Sequence, residues 1–583
     1  MNSEARANNF DPSLLESYKD GSAFAQHSFF QKYPDAFRIV LYYDEFEIAN
    51  PLGENAGVHK IGALYFIVLN LPDHVNSQLS CVHVMALFND LDRVKYGFKR
   101  ILHPFLRDLK ALESDEGVSF ESGGKKFVLR ASIAAVVGDT LAVHQILGLL
   151  GPSANRFCRL CMISRNDLLA GNFKKGEMRT KEMHDRQVAA VKANHAQSTE
   201  SGVSDECALH SSKYFHLTSN VVFDVMHDLL EGVIKFELKL VLSHFIAEGY
   251  FTVDFFNGRV YNFTYGPLES KNKPRANFTL ASLRNPSDHK LKQTAAQTWT
   301  LLRVFPFLVL DKVPNGSLHL KLVSLLLQIC QIVFAPKLRR DILPYLDALV
   351  VEHHELFLTL FGEENLINKH HHMVHYSDSI RAFGPLSRMW CMRFESKHQP
   401  MKRRAQNMCN FRNPTLTVIC VSQSLLCSTW GRGDFKVDTF KCSNGKTVRV
   451  DCTQSQVHAQ NLGYVDSDEV FVAESVVVNG TTYGLGMFVC VEAPPERSDN
   501  LPLFGKIVEI FVNELSKVYL LVVTRPTLYF DPTLVAYGVN KKWEYGDNRF
   551  VSLSDLRDHK PVSRWCTLGN DGRTCISARH IYI

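Results

Sequence analysis

Three acidic residues, Asp44, Asp139 and Glu395, have types and settings suited to metal-assisted phosphoryl transfer. Asp44 closes the run Ala36–Tyr43 (AFRIVLYY), whose apolar, β-branched and aromatic residues predict a buried strand. A carboxylate just after such a strand is held rigidly, with its head at the sheet edge. Asp139 follows Val128–Val137 (VLRASIAAVV) in the same way, after Gly138. If the two strands lie side by side, the carboxylates converge and repel, and a hard divalent ion relieves that repulsion. Mg²⁺ suits the pair because it takes oxygen ligands, needs few carboxylates and keeps waters. Two such ions about 3.5–4 Å apart activate a nucleophile and stabilise a leaving oxygen. Asp139 also precedes a predicted helix, Thr140–Leu150, so helix capping is the competing reading.

Glu395 is the candidate third acid, in GPLSRMWCMRFESKHQPMKRR. Gly384-Pro385 predicts a helix start, and Glu395, His398 and Lys402 then share one face. An acid followed by bases on one face suits a metal site beside a phosphate track, or simply a solvated charge pattern. Pro400, inside that helix, is expected to kink or end it at a cost of about 3 kcal/mol or more. Upstream, Lys369–His375 (KHHHMVH) is a histidine cluster open to three readings: DNA contact, metal binding or plain surface.

Cys158-Arg159-Leu160-Cys161 has the spacing of half a tetrahedral zinc site. Its candidate partners are Asp224 and His227 (DVMH), with Cys207 and His210 (CALH) in competition. Buried core cysteines, with Asp224 as a helix cap, are the bland alternative.

The elements that must position these residues follow from the pattern. Met1–Lys32 is a polar lead-in. Ile61–Leu71 and Cys81–Phe88 predict two further strands, with a turn at Asn50–Gly53 before them. A helical stretch over Phe98–Leu112 contains Pro104, which kinks it or starts its second half. The order is β-β-β-α-β-α. Ser164–Lys213 reads as a polar insertion or arm, Pro267–Gln297 as a basic loop, and Thr298–Gln406 as mainly helical. From Asp438 the chain turns β-rich, with a hairpin signal at Asn479-Gly480. Tyr519, Tyr529, Phe530 and Trp543 are candidates there for an aromatic cage, against ordinary core aromatics.

With 583 residues, 45% hydrophobic and 21% charged, the composition excludes a mainly disordered chain or a small disulfide scaffold. Sixty-five basic and 60 acidic residues give a charge of +5, too weak to establish a nucleic-acid partner. The 14 cysteines and the polar segment Met1–Asp20 predict reduced thiols and an intracellular protein. Leu318–Pro336 carries His319, Lys321, Gln328 and Gln331, so a buried helix rather than a membrane span is expected.

Taken together, ESYKDGSAFAQHSFFQKYPDAFRIVLYYDEFEIANPLG, VVGDTLAVHQILG, FCRLC, YFHLTSNVVFDVMHDLLEGV and FGPLSRMWCMRFESKH resemble CACTA (En/Spm-type) DDE transposases and their animal relatives, in the same order from about Leu15 to Thr417. The resemblance implies an α/β protein: an RNase H-like mixed-sheet core with a large mainly α-helical insertion, followed by a C-terminal β-rich small-barrel domain. The expected segments are a lead-in over 1–35, the first part of the core over 36–157, a zinc-knuckle and helical insertion over 158–380, a catalytic helix over 381–437 and the β-rich domain over 438–583. The resemblance further implies Asp44, Asp139 and Glu395 as the Mg²⁺ (or Mn²⁺) triad. It puts Cys158, Cys161, Asp224 and His227 in a supporting site, with structural Zn²⁺ as its candidate ion. The implied chemistry is cleavage of a DNA strand by water, then attack of the freed 3′-hydroxyl on another phosphodiester. DNA contacts are expected from His371, His398, Lys402 and Arg403, and from the basic loop Pro267–Lys292. A nuclear location, no membrane and a homo-oligomer complete the expectation. The competing functions are a catalytically silent DNA- or chromatin-binding adaptor and a metal-dependent nuclease acting on RNA.

Overall fold

The computed structural model describes residues 11–48, 60–285, 291–408, 412–433, 437–491, 501–543, 546–569 and 572–582. The expected Asn50–Gly53 turn and Lys290 lie outside the described residues. The chain is a mixed α/β protein that forms two compact units, Met1–Val233 with Val333–Phe435, and Ile234–Ile332 with Lys436–Ile583. The insertion expected over 158–380 is therefore divided, because 234–332 belong to the second unit.

In the first unit, β1 (Phe37–Glu47), β2 (Lys60–Val68), β3 (His83–Asn89) and β4 (Ala131–Val137) form one sheet in the order β3-β2-β1-β4. The first three are antiparallel neighbours, and β4 runs parallel to β1 with Tyr42 opposite Val137. Strands one and four are thus side by side. Every residue of β4 is buried, the continuous apolar pattern of a strand covered on both faces. The predicted fourth strand is split at Arg130: Val118–Ser122 and Lys125–Leu129 form an exposed hairpin before β4 begins. A parallel bridge between Val136 and Val221 continues the sheet beyond β4. There the Val136 N–H donates to the Asn220 carbonyl at 2.8 Å.

One face of this sheet is covered by α1 (Asp90–Ile101), α2 (His103–Leu112) and α3 (Thr140–Leu147). Pro104 sits in the first turn of α2, where its missing N–H costs nothing. Leu41, Tyr43, Ile133, Val143 and Ile146 pack together on that face. Strand alternation sends Tyr42 and Asp44 the other way. The second segment carries α4 (Leu343–Phe361), α5 (Asn368–Met373), α6 (Tyr376–Phe383), α7 (Met392–Met408) and α8 (Pro414–Gly431), of which α7 packs on β1 and α8 on β3. Phe394 of α7 lies parallel to the Tyr42 ring, with centroids 4.6 Å apart.

The second unit contains the helices Ile234–Ala247, Ala295–Val309 and Leu318–Val333, the last buried as expected. No helix among the described residues is long and apolar enough to cross a membrane. Asn479 and Gly480, both with positive φ, turn Ser475–Val478 into Thr481–Gly484, as the hairpin signal predicts. The small barrel expected over 438–583 is corrected: the described strands form an open, branched ten-stranded sheet and a separate three-stranded one. The cause is the long strand Leu503–Val512, whose one edge is shared by Glu469–Ala473 and Phe488–Val491 while Val518–Arg525 takes the other. Three of the four cage aromatics make separate contacts. Tyr519 stacks on Phe550, Phe530 meets Tyr537, and buried Trp543 packs edge-on against Phe488. Inside this unit, Glu269 accepts hydrogen bonds from Arg303, Arg579 and Ser563 in full burial.

Candidate active site and metal centre

Two residues past the Tyr42–Val137 pairing, β1 and β4 deliver Asp44 and Asp139 to the same end of the sheet. Both line one cleft of about 150 Å³, with Glu45, Phe46, Glu47, Lys60, Leu141, Ala142 and Gln145. Gly138 permits this close approach: a Cβ there would stand 3.0 Å from the Tyr43 carbonyl oxygen. Asp139 caps α3, accepting from the Ala142 N–H at 2.6 Å, as the capping reading expects.

Glu395 reaches this region from α7. Tyr42, 353 residues earlier, donates its hydroxyl to Glu395 Oε1 at 2.5 Å and stands 3.2 Å from Asp44 Oδ2. Asp44, Glu395 and His398 each place one ligand-capable atom within 4.8 Å of the others. His398 is wedged between them: its Nε2 is 3.3 Å from Asp44 Oδ2, and its Nδ1 is 3.2 Å from the Tyr65 hydroxyl. Pro400 does not end α7, which runs through it to Met408. Glu395 lies in the first turns, one helical turn and more before the proline, and its position is set there by the Phe394–Tyr42 stack.

The two carboxyls are driven apart in acidity. Burial, followed by the negative charge of Asp44, raises the Glu395 carboxyl above its ordinary range. Burial also opposes ionisation of Asp44, but the hydrogen bond and charge of His398 outweigh it and leave that carboxyl below its ordinary range. Like charges sharing a site behave in this way.

Behind Glu395 stands a pair expected at the zinc site. Asp224 caps the π-helical segment Met226–Val233, accepting from the N–H groups of Met226 and His227, and also from that of Cys391. Its Oδ2 is 2.5 Å from His227 Nδ1, and His227 Nε2 is 3.7 Å from Glu395 Oε1. Burial would lower the His227 pKa, but Asp224, Glu395 and Asp139 together push it up to about 9. A charged imidazolium thus bridges two carboxylates. π-Helical turns are enriched at functional sites, where the extra residue re-aims a side chain.

The pairing of Cys158 and Cys161 with Asp224 and His227 is corrected. The cysteines meet His371 and His375 instead, with all four ligand atoms mutually within 4.8 Å and fully buried. Cys161 Sγ is 3.2 Å from His371 Nε2, and Cys158 Sγ is 3.6 Å from His375 Nε2. His371 turns its other nitrogen, Nδ1, to the Phe173 carbonyl at 3.0 Å, which leaves Nε2 free to coordinate. Burial would raise the Cys158 thiol, yet hydrogen bonds from Cys161 and backbone N–H groups bring it down to about 7. Two thiolates and two imidazoles fit tetrahedral Zn²⁺. Cys207 is elsewhere, donating its S–H to the Ile146 carbonyl in the sheet core.

Two DNA-contact expectations are also corrected, because His371 and His398 are only 0% and 3% exposed. Lys402 is half-buried against the Phe46 ring, whereas Arg403 is exposed. Arg403 and Arg404 line a groove of about 360 Å³ beside Pro400 with Leu79, Ser396, Gln399 and Asn407. In the basic loop, Lys271, Arg275, Arg284 and Lys292 are exposed, while Lys273 folds back on Tyr261. Sequence reasoning did not join His375 to the cysteines and missed Tyr42 and Tyr65; the H-x₃-H spacing of His371 and His375 was the available signal for the first. No protein-family model matches the chain, and no curated protein is matched by it.

Proposed function

We propose that the first unit is an RNase H-like, metal-dependent phosphoryl-transfer domain that acts on DNA, a CACTA-type DDE transposase or a descendant of one. The observation that carries this reading is the convergence of Asp44 with Glu395, beside Asp139 at the neighbouring strand end. Three antiparallel strands, a fourth parallel to the first and a parallel bridge beyond it support the fold assignment. Asp44, Asp139 and Glu395 would hold Mg²⁺ or Mn²⁺, which when bound polarises the attacking and leaving oxygens of a phosphodiester.

The chain's own residues do the rest. Asp224 fixes the His227 ring through Nδ1, so that a proton at Nε2 faces Glu395 and balances the clustered negative charge. Tyr42 orients Glu395 from the opposite side. Arg403 and the groove it lines supply a cationic track for the backbone of the DNA. Cys158, Cys161, His371 and His375 would hold Zn²⁺ and lock the segment 158–161 to α5, a structural task. A nuclear, homo-oligomeric enzyme fits this substrate.

The test is nicking of a DNA end by purified protein in Mg²⁺ or Mn²⁺. Glu395→Gln is expected to abolish it, and equal nicking by the variant defeats the triad. A second reading, the silent DNA-binding adaptor, is favoured by one observation: Tyr42, His398 and His227 already engage the two carboxylates. Salt-sensitive DNA binding by a wild-type protein that never cleaves would establish that reading instead.

A further inference from the structure

Away from both sites, three histidines come together in the segment expected to be a polar arm. His184 lies on the helix Lys181–Ala193, His210 in the turn Ala208–Ser211, and His216 in the loop after it. Each has one ring nitrogen within 4.8 Å of those of the other two. His184 and His210 meet edge-on with centroids 5.4 Å apart, His184 and His216 likewise, and His210 stacks on His216 at 4.4 Å.

The core of this cluster is chemically unfinished. His184 is 0% exposed, and neither of its ring nitrogens has a hydrogen-bond partner. A buried imidazole always presents a donor and a lone pair, and leaving both unmet is costly. An ion on the lone pair removes one of the two deficits. Burial first, then the neighbouring rings, hold His184 down to about 3, and burial holds His210 down to about 4, so both are neutral at neutral pH. His210 Nε2 accepts the Leu217 N–H and His216 Nδ1 accepts the Thr218 N–H, each at a long 3.3 Å, and a bound cation competes with these weak bonds. Asp185 reaches over the cluster, with Oδ1 3.4 Å from His216 Nε2 and half its side chain exposed. Asp185 and Glu206 supply negative charge around the rings, against Arg179 and Lys181 on the other side.

We propose that His184, His210 and His216 form a second, thiolate-free binding site for a borderline divalent cation such as Zn²⁺. Imidazole is the ligand shared by Zn²⁺, Cu²⁺ and Ni²⁺ sites, and a three-histidine set leaves a position open for water or Asp185. The site is exchangeable where the Cys₂His₂ centre is closed, since His210 and Asp185 stand at its solvent edge.

Its occupancy would be felt at the sheet. The His216 N–H donates to Asn220 Oδ1 at 3.0 Å, and the Asn220 amide donates to the carbonyls of Ile133 and Ala134 on β4. An ion here clips the helix Lys181–Ala193 to the segment that extends the sheet, three residues before Asp224 in the case of Val221.

The experiment uses the full-length chain carrying Asp44→Asn, so that the acidic cleft takes up little metal, with the Cys₂His₂ centre filled with Zn²⁺. Co²⁺ is titrated in and followed by visible absorbance. The expected result is one further Co²⁺ whose d–d bands appear without thiolate charge-transfer intensity. His210→Gln and His216→Gln weaken that binding by at least about tenfold, and Asp185→Asn weakens it less, in the same direction. Circular dichroism checks the fold of each variant; if a histidine variant does not fold, the other histidine variant and Asp185→Asn decide. Absence of the further Co²⁺ overturns the site, and so does an affinity unchanged in the folded variants.

Discussion

At the residue scale, Tyr42 shows how one side chain sets the acidity of another. Its ring is buried and stacked on Phe394, and its hydroxyl has a single proton to give. The 2.5 Å contact gives that proton to Glu395 rather than to Asp44 at 3.2 Å. This hydrogen bond favours the Glu395 carboxylate against burial and the Asp44 charge, both of which raise its pKa. Tyr42→Phe keeps the stack and removes the hydroxyl, so it is expected to cost about 1–2 kcal/mol of stability. It also raises the Glu395 pKa further, so a higher pH is needed to ionise that group. The acid limb of the Mg²⁺-dependent nicking profile therefore moves to higher pH. A pH–rate profile of the variant superimposed on that of the wild type would rule out this role. Asp44 and Asp139 were legible because an apolar run ends at each of them, although β1 itself continues through Asp44 to Glu47. The partners of Cys158 and Cys161 were not, since the histidines lie more than 200 residues away and chain separation carries no register.

At the element scale, α7 tests how much a proline decides. Pro400 sits mid-helix with no N–H for the Ser396 carbonyl, yet the helix continues to Met408. Propensity gives a helix-interior proline a cost of about 3 kcal/mol; tertiary packing overrides it here. Phe394, Met401 and Ala405 are buried on one side of the helix and fasten it on both flanks of the proline. Pro400→Ala is therefore expected to stabilise the first unit, by about 1–3 kcal/mol after allowance for partial adaptation to the ring. Calorimetry should show its transition several degrees higher; a lower transition would mean that Pro400's packing in the Leu79 groove outweighs the lost hydrogen bond. The same override explains what the strand patterns did and did not disclose. The first two strands of the core sheet were readable from apolar runs, because extensive burial leaves little polar interruption. The break at Arg130 was not, because VLRASIAAVV is apolar on either side and only tertiary pairing separates hairpin from core strand. The small barrel expected at the C-terminus failed for a related reason: β-rich composition is written in the sequence, but which edge of Leu503–Val512 each neighbour takes is not.

At the scale of the whole molecule, the two units answer acid differently. The first buries neutral histidines at its core. His27, stacked on Phe30 with centroids 4.0 Å apart, is held down to about 4, chiefly by burial. His144 on α3 is held down to about 3, by burial and then by the charge of Arg159. An unfolded histidine titrates near 6.5, as a general reference value. Between that value and the depressed folded ones, the unfolded chain binds protons that the folded unit refuses. The stability due to these rings is therefore complete above about pH 6.5 and is lost as pH falls toward 4 and then 3. Each tenfold loss of proton affinity on folding corresponds to about 1.4 kcal/mol, so His27 alone accounts for roughly 3 kcal/mol. The second unit relies instead on Glu269, whose carboxyl is opposed by burial but held below its ordinary range by Arg303 and Arg579. That contribution persists until the pH drops through the carboxylate range, near 4 and below. His319, in the same unit, is also held down to about 4 by burial, but it is less enclosed than His27 and weighs less. Calorimetry from pH 7 to pH 5 should then show the transition of the first unit falling well ahead of that of the second. His27→Phe preserves the stack on Phe30 and carries no titrating group, so it is expected to flatten the slope of the first transition while leaving the second unchanged. Parallel descent of both transitions, or an unaltered slope in the variant, would show that the buried rings do not govern the acid response.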